Sequence, residues 1–78
     1  MNQATIYLRN SLFSTSASSG HVPAGVMIIK GEIVDSAGGG VITITHQLCD
    51  ERAKVLAETP LKLHLPWAKI DHIQLAQD

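Results

Sequence analysis

The stretch VMIIKGEIVD (Val26–Asp35) decides the reading of this chain. Its apolar residues recur at period two, the spacing of a strand. Met27, Ile29 and Ile33 share one face with Gly31 between them, while Val26, Ile28 and Val34 lie on the other beside Lys30 and Glu32. Glycine inside a strand marks a sharp bend or a close backbone approach, as at the corner of a small barrel. SAGGG (Ser36–Gly40) then supplies a turn, and VITITHQL (Val41–Leu48) returns as the partner strand. Its β-branched content suits a pleated sheet. Ile42, Ile44 and Leu48, with His46, are expected on one face, and Val41, Thr43, Thr45 and Gln47 on the other. A hairpin bent at Gly31 is thus the centre of the expected fold.

Upstream, Ala4–Phe13 reads as a first strand, with Ile6 and Leu8 alternating against Thr5, Tyr7 and Arg9. STSASSGHVPAG (Ser14–Gly25) offers little to bury and is expected to be a flexible loop, either a plain surface connection or a binding loop. Downstream, CDERAKVLAET (Cys49–Thr59) admits two readings. Asp50 can cap a short helix carrying Ala53, Leu56 and Ala57. Equally, the chain can stay extended, with Ala53, Val55 and Ala57 alternating against Lys54, Leu56 and Glu58. Pro60 then opens a strand in which Leu61, Leu63 and Leu65 face inward and Lys62 and His64 outward. Pro66 interrupts it, and a tight turn follows at Trp67 and Ala68. Ile70–Leu75 forms the last strand, and the three-residue spacing of Ile70 and Ile73 predicts a single helical turn before it. About five short strands separated by turn signals predict an all-β fold, a small, strongly bent, five-stranded barrel of the SH3-like or OB type spanning the whole chain.

Seventy-eight residues allow one domain. A chain this short buries only about 60% of its unfolded surface, so a disulfide, a metal or a partner subunit usually supplements the core. The single cysteine, Cys49, rules out an intrachain disulfide and fits a reducing compartment. A homo-oligomer is therefore expected. Six basic against seven acidic side chains give a formal charge of −1. Nucleic-acid binders normally show a basic excess, so any such site here is a local cluster or one concentrated by symmetry. The N-terminus shows no basic stretch followed by an apolar run, and no apolar segment approaches the roughly 20 residues that span a bilayer. A cytoplasmic location without membrane contact is expected.

The order of these elements resembles the Sm-like family of small β-barrels over about residues 26–76. The residues that carry it are Ile29-Lys30-Gly31-Glu32-Ile33-Val34-Asp35, Gly40-Val41-Ile42-Thr43-Ile44, and Leu63-His64-Leu65-Pro66-Trp67-Ala68-Lys69-Ile70-Asp71-His72-Ile73. The resemblance implies a barrel that assembles into a homo-oligomeric ring, with RNA or another protein as its partner. Leu65-Pro66-Trp67 stands where that family carries an isoleucine, a basic residue and a glycine, so no RNA-contact residue is carried over.

The candidate ligand or nucleic-acid residues are Arg52, Lys54, Lys62, Lys69 and Trp67. The first two also sit beside Asp50 and Glu51, so ordinary surface ion pairs account for them equally well. Trp67 is a core cap, an interface anchor or a stacking platform. Val26, Ile28 and Val34 form a second apolar row opposite the core row and are the candidate oligomer interface. His46, His64 and His72 lack the close spacing of metal ligands, and acidic neighbours leave Cys49 a poor nucleophile. Asp35, Asp50, Glu51 and Asp71 form no evident acid–base pair. No catalytic residue, metal or cofactor is expected.

Overall fold

The computed structural model describes residues 2–12 and 25–76. Six strands run in chain order: β1 (Asn2–Leu8), β2 (Ile28–Ala37), β3 (Gly40–Cys49), β4 (Val55–Ala57), β5 (Lys62–Pro66) and β6 (Ile70–Leu75). A single 3-10 turn, Trp67–Lys69, sits between β5 and β6, where the Ile70/Ile73 spacing places a helical turn. The strands form one antiparallel sheet in the order β4-β3-β2-β1-β6, with β5 also on β3. No pairing joins β5 to β6 among the described residues, so the sheet is open rather than a closed five-stranded barrel. The sixth strand is β4, which arises within Cys49–Thr59. That segment is extended, not helical, and its first residues make a turn.

β1 ends at Leu8, short of the expected Phe13. Beyond it the chain leaves strand geometry but stays tied to the segment before β2, Leu8 N–H donating to Met27 O at 2.9 Å and Leu12 N–H to Val26 O at 2.8 Å. Phe13 and most of the expected loop at 14–25 lie outside the described residues.

A continuous inward row crosses the sheet. Ile73, Ile6, Ile29 and Leu48 are consecutive cross-strand partners on β6, β1, β2 and β3. Ile6, Ile29 and Leu48 are fully buried, and Leu8, Leu12, Val26, Val41, Leu65 and Ile70 complete the core around them. Each fully buried aliphatic side chain of this kind contributes about 1.5–3 kcal/mol. Leu61 and Leu63 pack against this core beside buried Leu65, while Lys62 and His64 are exposed, the alternation expected of β5.

Two bulges bend the β2–β3 hairpin. The register steps from Lys30↔Gln47 to Gly31↔Thr45, which leaves His46 as an extra residue on β3. It steps again from Ile33↔Thr43 to Asp35↔Ile42, which leaves Val34 extra on β2. Each extra residue reverses the inward parity of its strand. This corrects the expected faces of β3. Val41, Thr43 and Thr45 point inward before the bulge and Leu48 after it, so Ile42 and Ile44 do not share the face of Leu48. The buried threonine hydroxyls are satisfied by backbone. Thr43 donates to Glu32 O at 2.7 Å, and Thr45 donates to Thr59 O at 2.6 Å while accepting the Leu61 N–H at 3.0 Å. An unpaired hydroxyl there would cost about 1–3 kcal/mol.

The row Val26, Ile28 and Val34 is corrected too. Val26 is fully buried in the core and Ile28 is buried, because the backbone before β2 is held between the chain after β1 and the end of β3, Leu8 N–H donating to Met27 O and Met27 N–H to Cys49 O, both at 2.9 Å. Only Val34, at the second bulge, is exposed. The three do not form one surface.

Candidate functional site

The cations singled out from sequence are spread along β3 rather than gathered. Arg52 and Lys54 lie in the turn that follows Cys49, whereas Lys62 is the cross-strand partner of Ile44. At the strand rise that separation along β3 is roughly 16 Å. Lys69 belongs to the 3-10 turn beyond the opposite end of β5.

The 50–54 turn is built on one carboxylate. Asp50 Oδ1 accepts the amide N–H groups of Arg52 and Lys54, each at 2.9 Å. Asp50 N–H in turn donates to Lys54 O at 2.9 Å, and Ala53 takes a left-handed φ of 65° to close the turn. The Lys54 amide, aided by that of Arg52 and by the charges of both side chains, holds the Asp50 carboxyl below its ordinary value of 3.8. A carboxylate with a lowered folded pKa stabilises above its unfolded pKa, and that contribution is lost as pH falls through the folded value. The amide protons of Arg52 and Lys54 should therefore titrate together in NMR spectra, with a midpoint below 3.8. A midpoint at or above the ordinary value would contradict this account, and Asp50→Ala should abolish the transition.

Trp67 is 46% exposed, so it is not a core residue. Its indole Nε1–H donates to Gly38 O at 3.1 Å and its backbone N–H to Gly39 O at 3.2 Å. The ring thus clips the 3-10 turn to the β2–β3 turn while leaving part of its surface free. Arg9, which sequence reading passed over, is close to Lys69: its backbone N–H donates to Lys69 O at 2.9 Å and its Nε–H to Ile70 O at 3.1 Å.

A further concavity lies elsewhere. A cleft of about 1080 Å³ opens where β1, β2 and β3 cross, between the end of β6 and the chain at Glu58 and Pro60. Gln74, Thr5, Lys30 and Gln47 are consecutive cross-strand partners on β6, β1, β2 and β3, so their side chains share one face of the sheet along this cleft. Ala4 and Gly31 give it small walls. Beside the row, Tyr7 O–H donates to Gln74 Oε1 at 3.2 Å, and its ring stacks on His72 with centroids 4.2 Å apart. Sequence alternation does place Lys30 and Thr5 on outward faces. It carries no signal that β6 lies against β1 and brings Gln74 to them.

The histidines serve separate partners. His46 Nε2 is 3.7 Å from Glu32 Oε1, His72 Nδ1 is 2.8 Å from Asp71 Oδ2, and His64 is exposed opposite Ile42. No group of three His, Cys, Asp or Glu side chains among the described residues is placed to hold a metal ion. Burial pushes the Cys49 thiol above its ordinary value, with Lys30 offsetting part of that and Asp50 adding to it. The sulfur is therefore held as the thiol, the unreactive form. No helix among the described residues is long and apolar enough to cross a membrane. Neither a protein-family model, nor a curated protein, nor a solved structure matches this chain.

Proposed function

We propose that this chain is a non-enzymatic assembly module, a small barrel of the Sm-like or SH3-like type whose copies join edge to edge into a closed homo-oligomer. The observation that carries the reading is the open sheet, with β6 at one end of the strand order and β4 and β5 at the other. The 3-10 turn links β5 to β6, the connection that draws the two ends of a small barrel together. Exposed strand edges recruit further strands unless they are guarded. β5 is guarded by Pro60, Lys62 and Pro66, whereas β6 contains no proline and ends on Leu75, which is 54% exposed. β4 presents Val55 and Leu56, both exposed. Pairing β6 of one copy with β4 of the next is a head-to-tail contact, which closes into a ring when its rotation divides a full turn.

Protein is favoured over RNA as the partner. The cations are dispersed, the net charge is −1, and affinity for nucleic acid comes chiefly from clustered cations. An SH3-like scaffold that engages a different protein through the same edges is the alternative. Light scattering at micromolar concentration should give a molar mass several times 8.4 kDa. Leu56→Asp or Leu75→Asp should return it to the single-chain value, because each places a charge in the joined edges. A parent mass of one chain, unchanged on dilution, would eliminate the ring. Nucleic acid retained through purification, read from absorbance at 260 against 280 nm, would restore RNA as the partner.

A further inference from the structure

We infer that the outer face of the β2–β3–β5 sheet docks a second copy of this chain about a two-fold axis, Glu32 meeting Lys62 and Asp35 meeting His64 across the contact. Two cross-strand rows build this face. Glu32, Ile44 and Lys62 are consecutive partners on β2, β3 and β5, and so are Asp35, Ile42 and His64. Cross-strand partners share a face. Val41, Thr43 and Thr45 are buried, so the alternation of β3 turns Ile42 and Ile44 outward. Both isoleucines stay partly exposed, and neither belongs to the core or packs against it. The second bulge adds Val34 opposite Ile42, and Val34 is 40% exposed. Each row therefore runs in the same order, with a carboxylate on β2, an isoleucine on β3, and an ammonium or ring N–H on β5.

That order says what covers the face. A two-fold contact uses one patch twice, so the patch must complement itself. An axis lying in the contact plane along β3 keeps each isoleucine on its own counterpart and exchanges the outer strands. It lays β2 of one copy over β5 of the other, carboxylate on donor in both rows. The strands then stay within the roughly 30° that aligned sheets adopt. An axis across the strands would instead set acid on acid. The acceptors are available. Gln3 and His46 approach only Oε1 of Glu32, at 3.5 and 3.7 Å, and the Ser36 amide donates to Oδ1 of Asp35 at 2.8 Å, which leaves Glu32 Oε2 and Asp35 Oδ2 for the other copy. Carboxylates along one side make the face unsuited to a polyanion. Two rows are a small contact, so one pair of copies associates at about millimolar concentration, and a ring multiplies the contact by its number of copies. The rows lie apart from the β4 and β6 edges, so the inference does not rest on the edge pairing proposed above.

Sedimentation equilibrium of Leu75→Asp, whose edge is blocked, should show single chains passing to dimers as concentration rises to about 1 mM. Should the edge pairing fail, the parent is itself a single chain at micromolar concentration and takes the same test unchanged. Lys62→Glu or Glu32→Lys, each added to that background, should weaken dimerisation about tenfold or more, since each sets like charges face to face. An equimolar mixture of the two should recover it, because a row with lysine at both ends meets one with glutamate at both ends. Asp35→Lys mixed with His64→Glu repeats the exchange in the second row and serves if Glu32→Lys does not fold. NMR at rising concentration should shift the Ile42 and Ile44 amides and leave those of Thr5 and His72 in place. Dimerisation indifferent to the single reversals, or a mixture no more associated than its components, would overturn the proposal. A mass of one chain at every concentration would overturn it too and leave the face to an unlike partner.

Discussion

Gly31→Ala should lower the melting temperature by about 12–24 °C, the expectation for roughly 3 kcal/mol in a domain of this size. A methyl group at this position would run into the Ile44 carbonyl and sit 2.9 Å from Thr45 Cα. Both obstacles are backbone, so no side-chain rotation relieves them, and the bulged β2–β3 crossing must part. Parting it threatens the Thr43 and Thr45 hydrogen bonds, which hold β2 and the chain before β5 to β3. Gly40→Ala should behave alike, since its methyl group would collide with the Leu65 carbonyl and lie 2.9 Å from Pro66 Cα. The turn glycines are the control. A methyl group at Gly38 or Gly39 meets nothing within 4 Å and neither has a left-handed φ, so alanine there should change stability by less than about 0.5 kcal/mol. A Gly31→Ala protein that melts within a few degrees of the parent would show that the crossing is looser than its geometry implies.

Gly31 also marks how far the sequence can be read. Its place inside an apolar alternation signals a close crossing, and the structure puts one there. The leucine alternation of β5 and the helical turn before β6 were equally legible, because each depends on spacing within a few residues. The faces of β3 were not. Isoleucine is more hydrophobic than threonine, so Ile42 and Ile44 read as the inward residues. The inner face here lies against backbone carbonyls and amides, and a hydroxyl meets that need where a methyl group cannot. The His46 bulge then reverses the parity before Leu48. A bulge is a property of two strands, and one strand's alternation does not reveal it. Lys30 reads as outward from β2 alone, but the cleft depends on β6 returning to β1. That pairing joins residues such as Thr5 and Gln74 from opposite ends of the chain.

Ile29→Ala should cost about 2–5 kcal/mol, and Ile33→Ala clearly less, although alternation assigns both to the core face. Ile29 is fully buried and sits between Ile6 and Leu48 in the row that crosses β1, β2 and β3. Truncating it leaves a cavity bounded by three strands, which cannot collapse without distorting the hairpin. Ile33 is only partly buried, next to the second bulge, so its truncation opens toward solvent and forms no closed cavity. Ile6→Ala should match Ile29→Ala, since Ile6 is fully buried and joins Ile29 to Ile73. The double variant should depart from the sum of the single ones by about 0.5–3 kcal/mol, because both residues line one cavity. Urea unfolding of the parent and the four variants measures these differences, provided the parent transition is cooperative. Equal losses at Ile29 and Ile33, or strict additivity of Ile6 and Ile29, would show that the Ile73–Ile6–Ile29–Leu48 row is not the spine of the core.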